Sequence, residues 1–172
     1  MAIKDALLPE FDHEMQVTRA HLAVVPEAKA DWKPHAKSMS LGQLARHIAD
    51  VPGSVGVILG ATEMDLNPPG GPPRVPPKFE GTSRSLELFD AAVAQGRGMI
   101  AAASDADFMV TWSLKNAGKV AMSMPRAAVL RSFVMNHMIH HRGQLTVYLR
   151  QLEVPVPSSY GPTADAPGGM GG

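Results

Sequence analysis

The chain has 172 residues, of which 16 are basic and 16 are acidic, so its formal net charge at pH 7 is zero. Because no segment collects a basic run, binding driven by a nucleic-acid backbone is excluded from the candidate functions. No apolar stretch approaches the roughly 20 residues that a membrane-spanning helix needs. Cysteine is absent, which excludes disulfides and thiolate metal sites.

The length of the chain indicates one domain. A chain of this size is typical of a single domain with its own core, which we place at residues 1–166, followed by a flexible tail at 167–172. The N-terminal residues MAIKDALLPE lack the basic-then-apolar layout of a secretory signal. We therefore expect a cytoplasmic protein.

The first two predicted helices follow from apolar residues spaced three and four apart. Helix one covers about residues 5 to 25. Helix two begins after Ser40, a favourable N-cap residue. Pro52 and Gly53 lie inside helix two and predict a kink near its middle. The apolar stripes of the two helices are Phe11, Met15, Thr18, Leu22 and Val25, then Leu41, Leu44, Ile48, Val51, Val55 and Ile58.

The second half of the chain begins with a proline-rich crossover. Residues 67–81, NPPGGPPRVPPKFEG, cannot form a helix or a central strand. A third helix is predicted at about 83 to 103, then a short β-hairpin turning at Asn116-Ala117-Gly118, then a fourth helix from Pro125 to about Leu152. The predicted fold is all-α: a four-helix bundle with a long Pro/Gly-rich crossover between helices two and three and a β-hairpin before helix four.

Two histidines occupy core positions of the fourth helix. His137 and His141 are four residues apart, so they project from the same helical face. They continue an apolar stripe that contains Leu130 and Val134, where leucine or isoleucine would be expected. Burial of a polar ring without a partner is costly. A bound metal ion would satisfy both rings at once.

A third histidine lies on the second helix. His47, in LGQLARHIADV, lies at the edge of that helix's apolar stripe. If helices two and four pack side by side, it faces His137 and His141. Three imidazoles with open coordination positions are typical of catalytic metal sites. The alternative is that these histidines hydrogen-bond Asp50, Gln144 or backbone carbonyls in an ordinary core.

The positions of residues near the histidines predict roles for several of them. Gln144 shares the face of His141 and is expected to hydrogen-bond a metal-bound water or a histidine from outside the set of metal ligands. Tyr148, one turn further, is either a pocket residue or a packing residue. Arg142 is expected to form a structural ion pair. The remaining histidines, which lie off the stripes or in loops, are expected to be solvated: His13, His21, His35 and His140.

The motifs LGQLARHIAD and HMIHHRGQL resemble the DinB-like (YfiT-type) family of proposed metalloenzymes. The order of the flanking segments agrees, with DWKPH before helix two and VPVPSSYGP after helix four. The resemblance extends from Phe11 to about Asp165. It implies a four-helix bundle with a long crossover and a divalent-metal site whose ligands are His47, His137 and His141.

The resemblance also implies a chemistry. Characterised relatives carry out thiol-dependent transfer and isomerisation, in which the metal activates a low-molecular-weight thiol such as bacillithiol, mycothiol or glutathione. Hydrolysis by activated water fits the same site. We expect a metal-dependent transferase or hydrolase acting on a small molecule, with zinc or nickel bound and iron or manganese as alternatives. The competing hypothesis is a non-catalytic metal- or small-ligand-binding bundle in a stress response.

Two further expectations concern surfaces. Apolar residues off the inner stripes, namely Leu88, Phe133 and Met138, suggest a two-fold homodimer. The crossover is stiff and must pass over one end of the bundle. We expect it either to border the mouth of the metal pocket or to pack on a dimer partner.

Overall fold

Long helical segments pack around one apolar core. The computed structural model describes residues 1–72 and 74–169. Its helices in chain order are α1 (Ile3–Ala23), α2 (Leu41–Asp50), α3 (Ser54–Gly60), α4 (Thr82–Ala102), α5 (Asp105–Met109), α6 (Arg126–Val129) and α7 (His137–Gln151). Helix α1 packs on α4 and α7, and α2 packs on the same two helices. The structure therefore has four helical rods, with α2–α3 as the second and α6–α7 as the fourth.

The predicted kink in the second helix is confirmed. A single 3₁₀ turn, Val51–Gly53, separates α2 from α3 and contains Pro52, whose ring cannot continue an α-helical hydrogen-bond ladder. The start of α2 is fixed by a capping box. The Ser40 hydroxyl accepts from the Gln43 backbone N–H, and the Ser40 N–H donates to the Gln43 side chain.

The fourth rod is less regular than predicted. We expected one α-helix from Pro125 to Leu152, but a π-helical segment, Leu130–Asn136, joins α6 to α7. A π-helix uses i→i+5 hydrogen bonds and is rare outside short segments, many of which lie at functional sites. Regular α-helix resumes at His137.

A small sheet makes the chain mostly helical rather than all-α. Strands β1 (Glu63–Asp65), β2 (Thr111–Asn116) and β3 (Lys119–Pro125) pair in the order β1-β2-β3, with β1 parallel to β2 and β2 antiparallel to β3. The predicted hairpin is confirmed. Its turn residues Ala117 and Gly118 have φ values of 50° and 77°, the left-handed conformation that tight hairpin turns require. Strand β1 was not predicted.

The apolar stripes form the core, and two residues that were expected outside it pack against it as well. Every stripe residue named above for the first two helices is buried. Met138, expected on an exposed pairing face, is instead fully buried, and Phe133 is partly buried against the core. This part of the argument for a homodimer was therefore wrong, since both side chains pack within the chain.

The C-terminal segment returns to the bundle. Arg150 forms an ion pair with Asp165, whose carboxylate also accepts a hydrogen bond from the Val156 N–H. Of the expected flexible tail, residues 170–172 lie outside the described residues. None of the helices in residues 1–72 and 74–169 combines the length and hydrophobicity that a membrane-spanning helix requires.

Candidate metal centre

Three histidine nitrogens converge between helices α2 and α7. The Nε2 atom of His137 lies 3.0 Å from Nε2 of His47 and 2.7 Å from Nε2 of His141. Ligands 2.0–2.1 Å from a tetrahedral metal are separated by about 3.3 Å. A metal ion would therefore require the rings to move apart by only a few tenths of an ångström. The donor set and its spacing fit a divalent transition metal.

Local structure explains why these rings meet. His137 is the first residue of α7, and His141 lies one turn later on the same face. His47 projects from α2, which packs directly on α7. The ring centroid of His47 is 5.1 Å from that of His137 and 4.5 Å from that of His141. The structure thus brings together all three residues that we selected from the sequence.

Gln144 orients one member of the cluster. Nδ1 of His141 lies 2.8 Å from Oε1 of Gln144. The amide oxygen can only accept, so Nδ1 carries the proton and Nε2 presents a lone pair to the cluster. Outer hydrogen bonds of this kind hold metal-ligating histidines in the required tautomer. Gln144 therefore touches His141 on the side away from the other two histidines and holds its ring in the tautomer that can bind a metal.

Tyr148 is a packing residue. Its ring contacts Trp32 edge-on at 5.5 Å between centroids, and its hydroxyl donates to the Met39 carbonyl at 3.2 Å. The side chain is buried. These are packing contacts, and packing is one of the two roles that the sequence left open for Tyr148.

The environment favours neutral imidazoles. Burial, followed by the neighbouring His141 and His47, lowers the pKa of His137 from 6.5 to about 4. Burial also lowers the pKa of His47, and the proximity of His141 lowers it further. Burial lowers the pKa of His141, although the hydrogen bond to Gln144 opposes this shift. All three rings are therefore neutral at pH 7, the state that coordinates a metal.

A cavity of about 590 Å³ opens onto two of the histidines. Besides His47 and His137, its lining residues are Met39, Gln43, Arg46, Asp50, Val51, Ser54, Val57, Ile58, Met64, Leu66, Arg74, Pro76, Pro77, Trp112 and Phe133. Three of these, Arg74, Pro76 and Pro77, belong to the proline-rich crossover. The crossover thus forms one wall of the cavity beside the histidines.

One charged pair in the cavity wall flanks His47. Arg46 Nε lies 3.0 Å from a carboxylate oxygen of Asp50, and Arg46 also donates to the backbone carbonyl of Lys78. The pair therefore links α2 to the end of the crossover. Asp50 is held beside the site by this guanidinium rather than by a histidine.

The remaining histidines are divided between surface and core. His13, His35 and His140 are exposed, as predicted. His21 is fully buried, which corrects our expectation that it is solvated. Its Nδ1 lies 2.8 Å from the Val17 carbonyl, and its Nε2 lies 3.2 Å from the Ser159 hydroxyl. The C-terminal segment covers this ring, and the helical stripe of α1 could not reveal that.

Two features of the centre were missed. Phe133, in the π-helical segment, contacts the His137 ring at 5.5 Å between centroids, and its backbone carbonyl raises the pKa of that ring against the other effects. Arg74 lines the cavity, and its charge helps to lower the pKa of His47. A π-helical segment has no clear sequence signature. Arg74 could have been noticed, because it is a cationic side chain in the middle of the proline-rich crossover.

Comparisons with known proteins identify the family and the fold. The profile of the family described as the DinB family matches residues 77–167. The uncharacterized protein YrdA of Bacillus subtilis (strain 168) is 23% identical over 165 residues, which cover 94% of this chain and 90% of YrdA. A solved DinB-like protein from Bacillus cereus ATCC 10987 superposes with a TM-score of 0.68 at 22% identity, covering 90% of this chain and 95% of that one.

YfiT from Bacillus subtilis has the same fold. It superposes with a TM-score of 0.66 at 14% identity and 88% coverage of each chain. YfiT is described as a probable metal-dependent hydrolase with an unusual four-helix bundle topology. At this identity the likeness concerns the fold alone, and it supports the four-helix bundle predicted from the sequence.

Proposed function

The chain belongs to the DinB family, and on this basis we propose that it is a metal-dependent enzyme whose single divalent ion is bound by His47, His137 and His141. The observation that carries the proposal is the convergence of three Nε2 atoms, with distances of 3.0 and 2.7 Å from His137 to its two neighbours. Zinc or nickel suits these imidazole ligands best, with iron or manganese as alternatives.

The bound metal would lower the pKa of a water molecule or a thiol and so supply a nucleophile at neutral pH. The chain's own residues prepare the site for this chemistry. Gln144 holds His141 in its ligating tautomer, and burial keeps His47 and His137 unprotonated. Asp50 contributes a carboxylate to the same cavity, where its ion pair with Arg46 holds it beside His47.

The shape of the site favours catalysis over metal storage. The metal-capable cluster in the described residues consists of three histidines, and three protein ligands leave at least one coordination position open. The cavity lies on the side of His47 and His137, so a small molecule could reach that position. A storage or structural site would be closed by a further protein ligand.

Water and a thiol remain the two candidate nucleophiles. The description of YfiT as a probable metal-dependent hydrolase favours water, whereas the sequence resemblance also implies thiol-dependent transfer. The experiment compares metal-loaded with chelator-stripped protein on ester and amide substrates, with and without bacillithiol or glutathione. We expect turnover only in the loaded form. Turnover that persists in stripped protein and in His137→Ala would overturn the proposal.

A two-fold homodimer remains a proposal. The apolar face first considered for it is largely used inside the chain, because Met138 is buried and Phe133 packs on His137. Leu88 on α4 remains partly accessible. Light scattering at several protein concentrations tests the proposal, and a monomer mass at every concentration would contradict it.

A further inference from the structure

We infer that the cavity beside the histidines binds a small organic molecule with an anionic head group at the histidine end and an apolar body at the other. The inference deepens the proposed function and rests on it, because it treats this cavity as the place where the substrate binds. It follows from three features of the lining: the order of the lining residues along the chain, the balance of their charges, and the apolar wall.

The lining residues define a long axis. Those from the second helical rod extend from Gln43 to Ile58, which is about four helical turns. His47 lies one turn from the first end. At the other end, Ile58 is joined by Met64 of β1 and Trp112 of β2. The cavity therefore has a polar end at the histidines and an apolar end against the sheet.

Charge at the polar end is positive. Arg46 and Asp50 neutralise each other through their ion pair. Arg74 also lines the cavity and lies close enough to His47 for its charge to affect that ring. Within residues 1–72 and 74–169, no carboxylate forms an ion pair with Arg74. The Arg74 side chain is exposed, so its guanidinium is accessible to an anionic head group that enters the cavity.

The apolar end determines the body of the ligand. Ile58 and Trp112 are each about 1% exposed and belong to the bundle core. The accessible apolar surface beside them comes from Val57, Met64 and Leu66, which also line the cavity and are exposed or partly exposed. A volume of about 590 Å³ lies within the range of small-molecule pockets. Each methylene group that a ligand buries against such a wall should tighten binding about fourfold.

The inference is tested with simple probes. Calorimetric titrations measure butyrate, hexanoate and octanoate, with octylamine and octan-1-ol as partners of the same chain length and different charge. Each titration uses metal-loaded protein and, separately, chelator-stripped protein. The variant Arg74→Gln removes the crossover charge. The control Arg84→Gln removes a guanidinium from α4, which is paired with Glu80 and Glu87 on the surface and is not among the residues that line the cavity.

We expect affinity to rise from butyrate to octanoate, and octanoate to bind more tightly than octylamine in both forms of the protein. Arg74→Gln should weaken octanoate binding about fivefold and leave octan-1-ol unchanged, and Arg84→Gln should match the wild type. Equal affinities for octanoate and octylamine, or an unaltered Arg74→Gln variant, would overturn the inference. If the protein takes up no metal but shows the expected pattern, the proposed function fails and the ligand class stands.

Discussion

The Nδ1–H of His141 donates to Oε1 of Gln144 across 2.8 Å, within the same helix. This hydrogen bond fixes which nitrogen of His141 faces the other two histidines. A residue at the exposed end of the motif HHRGQ thus controls the state of a ring at the centre of the site. Because the two residues are three positions apart in one helix, the helix itself places Gln144 where it can keep the Nε2 lone pair of His141 available for a metal.

Loss of Gln144 should weaken metal binding without unfolding the helix. Gln144→Ala removes the acceptor that orients His141, and loss of such an outer hydrogen bond typically reduces metal affinity about 10- to 100-fold. Competition with a chromogenic chelator measures the change. Gln151→Ala, an exposed glutamine at the end of the same helix, should bind metal as the wild type does. Equal affinities of the two variants would show that the hydrogen bond does not matter.

Acid should destabilise the metal-free protein through His137. Its pKa is about 4 in the folded chain and about 6.5 when unfolded, so between these values the unfolded chain binds more protons. The stabilisation is therefore complete above about pH 6.5 and is lost as pH falls towards 4. Urea unfolding of stripped protein at several pH values should show a smaller decline in His137→Gln than in the wild type. Parallel declines would contradict the assignment.

Bound metal should add stability that depends on pH. At free metal one hundred times the dissociation constant, binding to the folded state contributes about 2.7 kcal/mol. Protons compete for the imidazoles, so this contribution is present at pH 7.5 and small at pH 5. Thermal unfolding with and without a chelator at both pH values measures it. A chelator effect of the same size at both would argue against histidine ligands.

The ion pair between Arg142 and Glu14 should be critical for stability. Arg142 Nη1 lies 2.7 Å from a Glu14 oxygen, and both side chains are almost fully buried. Glu14→Ala would leave a buried charge without its partner and should cost about 3–5 kcal/mol in the free energy of unfolding. Urea denaturation measures this cost. The double variant Glu14→Leu with Arg142→Met should recover most of it, whereas a double variant as unstable as Glu14→Ala would contradict the account.

Most of the fold was predictable because its signals are local. The helical stripes, the kink at Pro52 and the hairpin turn at Gly118 all depend on residues within a few positions of one another. Strand β1 was missed because three residues carry no periodic pattern, and its partner β2 lies about fifty residues later in the chain. The π-helical segment was missed because its residues also suit an α-helix.

The three histidines of the candidate site were predictable from the sequence, but the cavity beside them was not. His137 and His141 were evident from their core positions, and His47 from one plausible helix contact. The cavity was not evident, because its walls come from the crossover, β1 and β2 at once. The burial of His21 and Met138 also depends on tertiary contacts that leave no local pattern. Residues on a helical stripe were thus identified, even where two helices bring them together, whereas contacts made by loops, strands and the C-terminal segment were not.

The most direct test of the claim that His47, His137 and His141 bind a metal is the metal content of the purified protein and of four single variants, measured by elemental mass spectrometry. We predict about one divalent ion per chain in the wild type, with sharp losses in His47→Ala, His137→Ala and His141→Ala. His140→Ala should retain the wild-type content, because that side chain is exposed and lies outside the cluster of converging nitrogens. Stoichiometric metal in His137→Ala and His141→Ala would contradict the account.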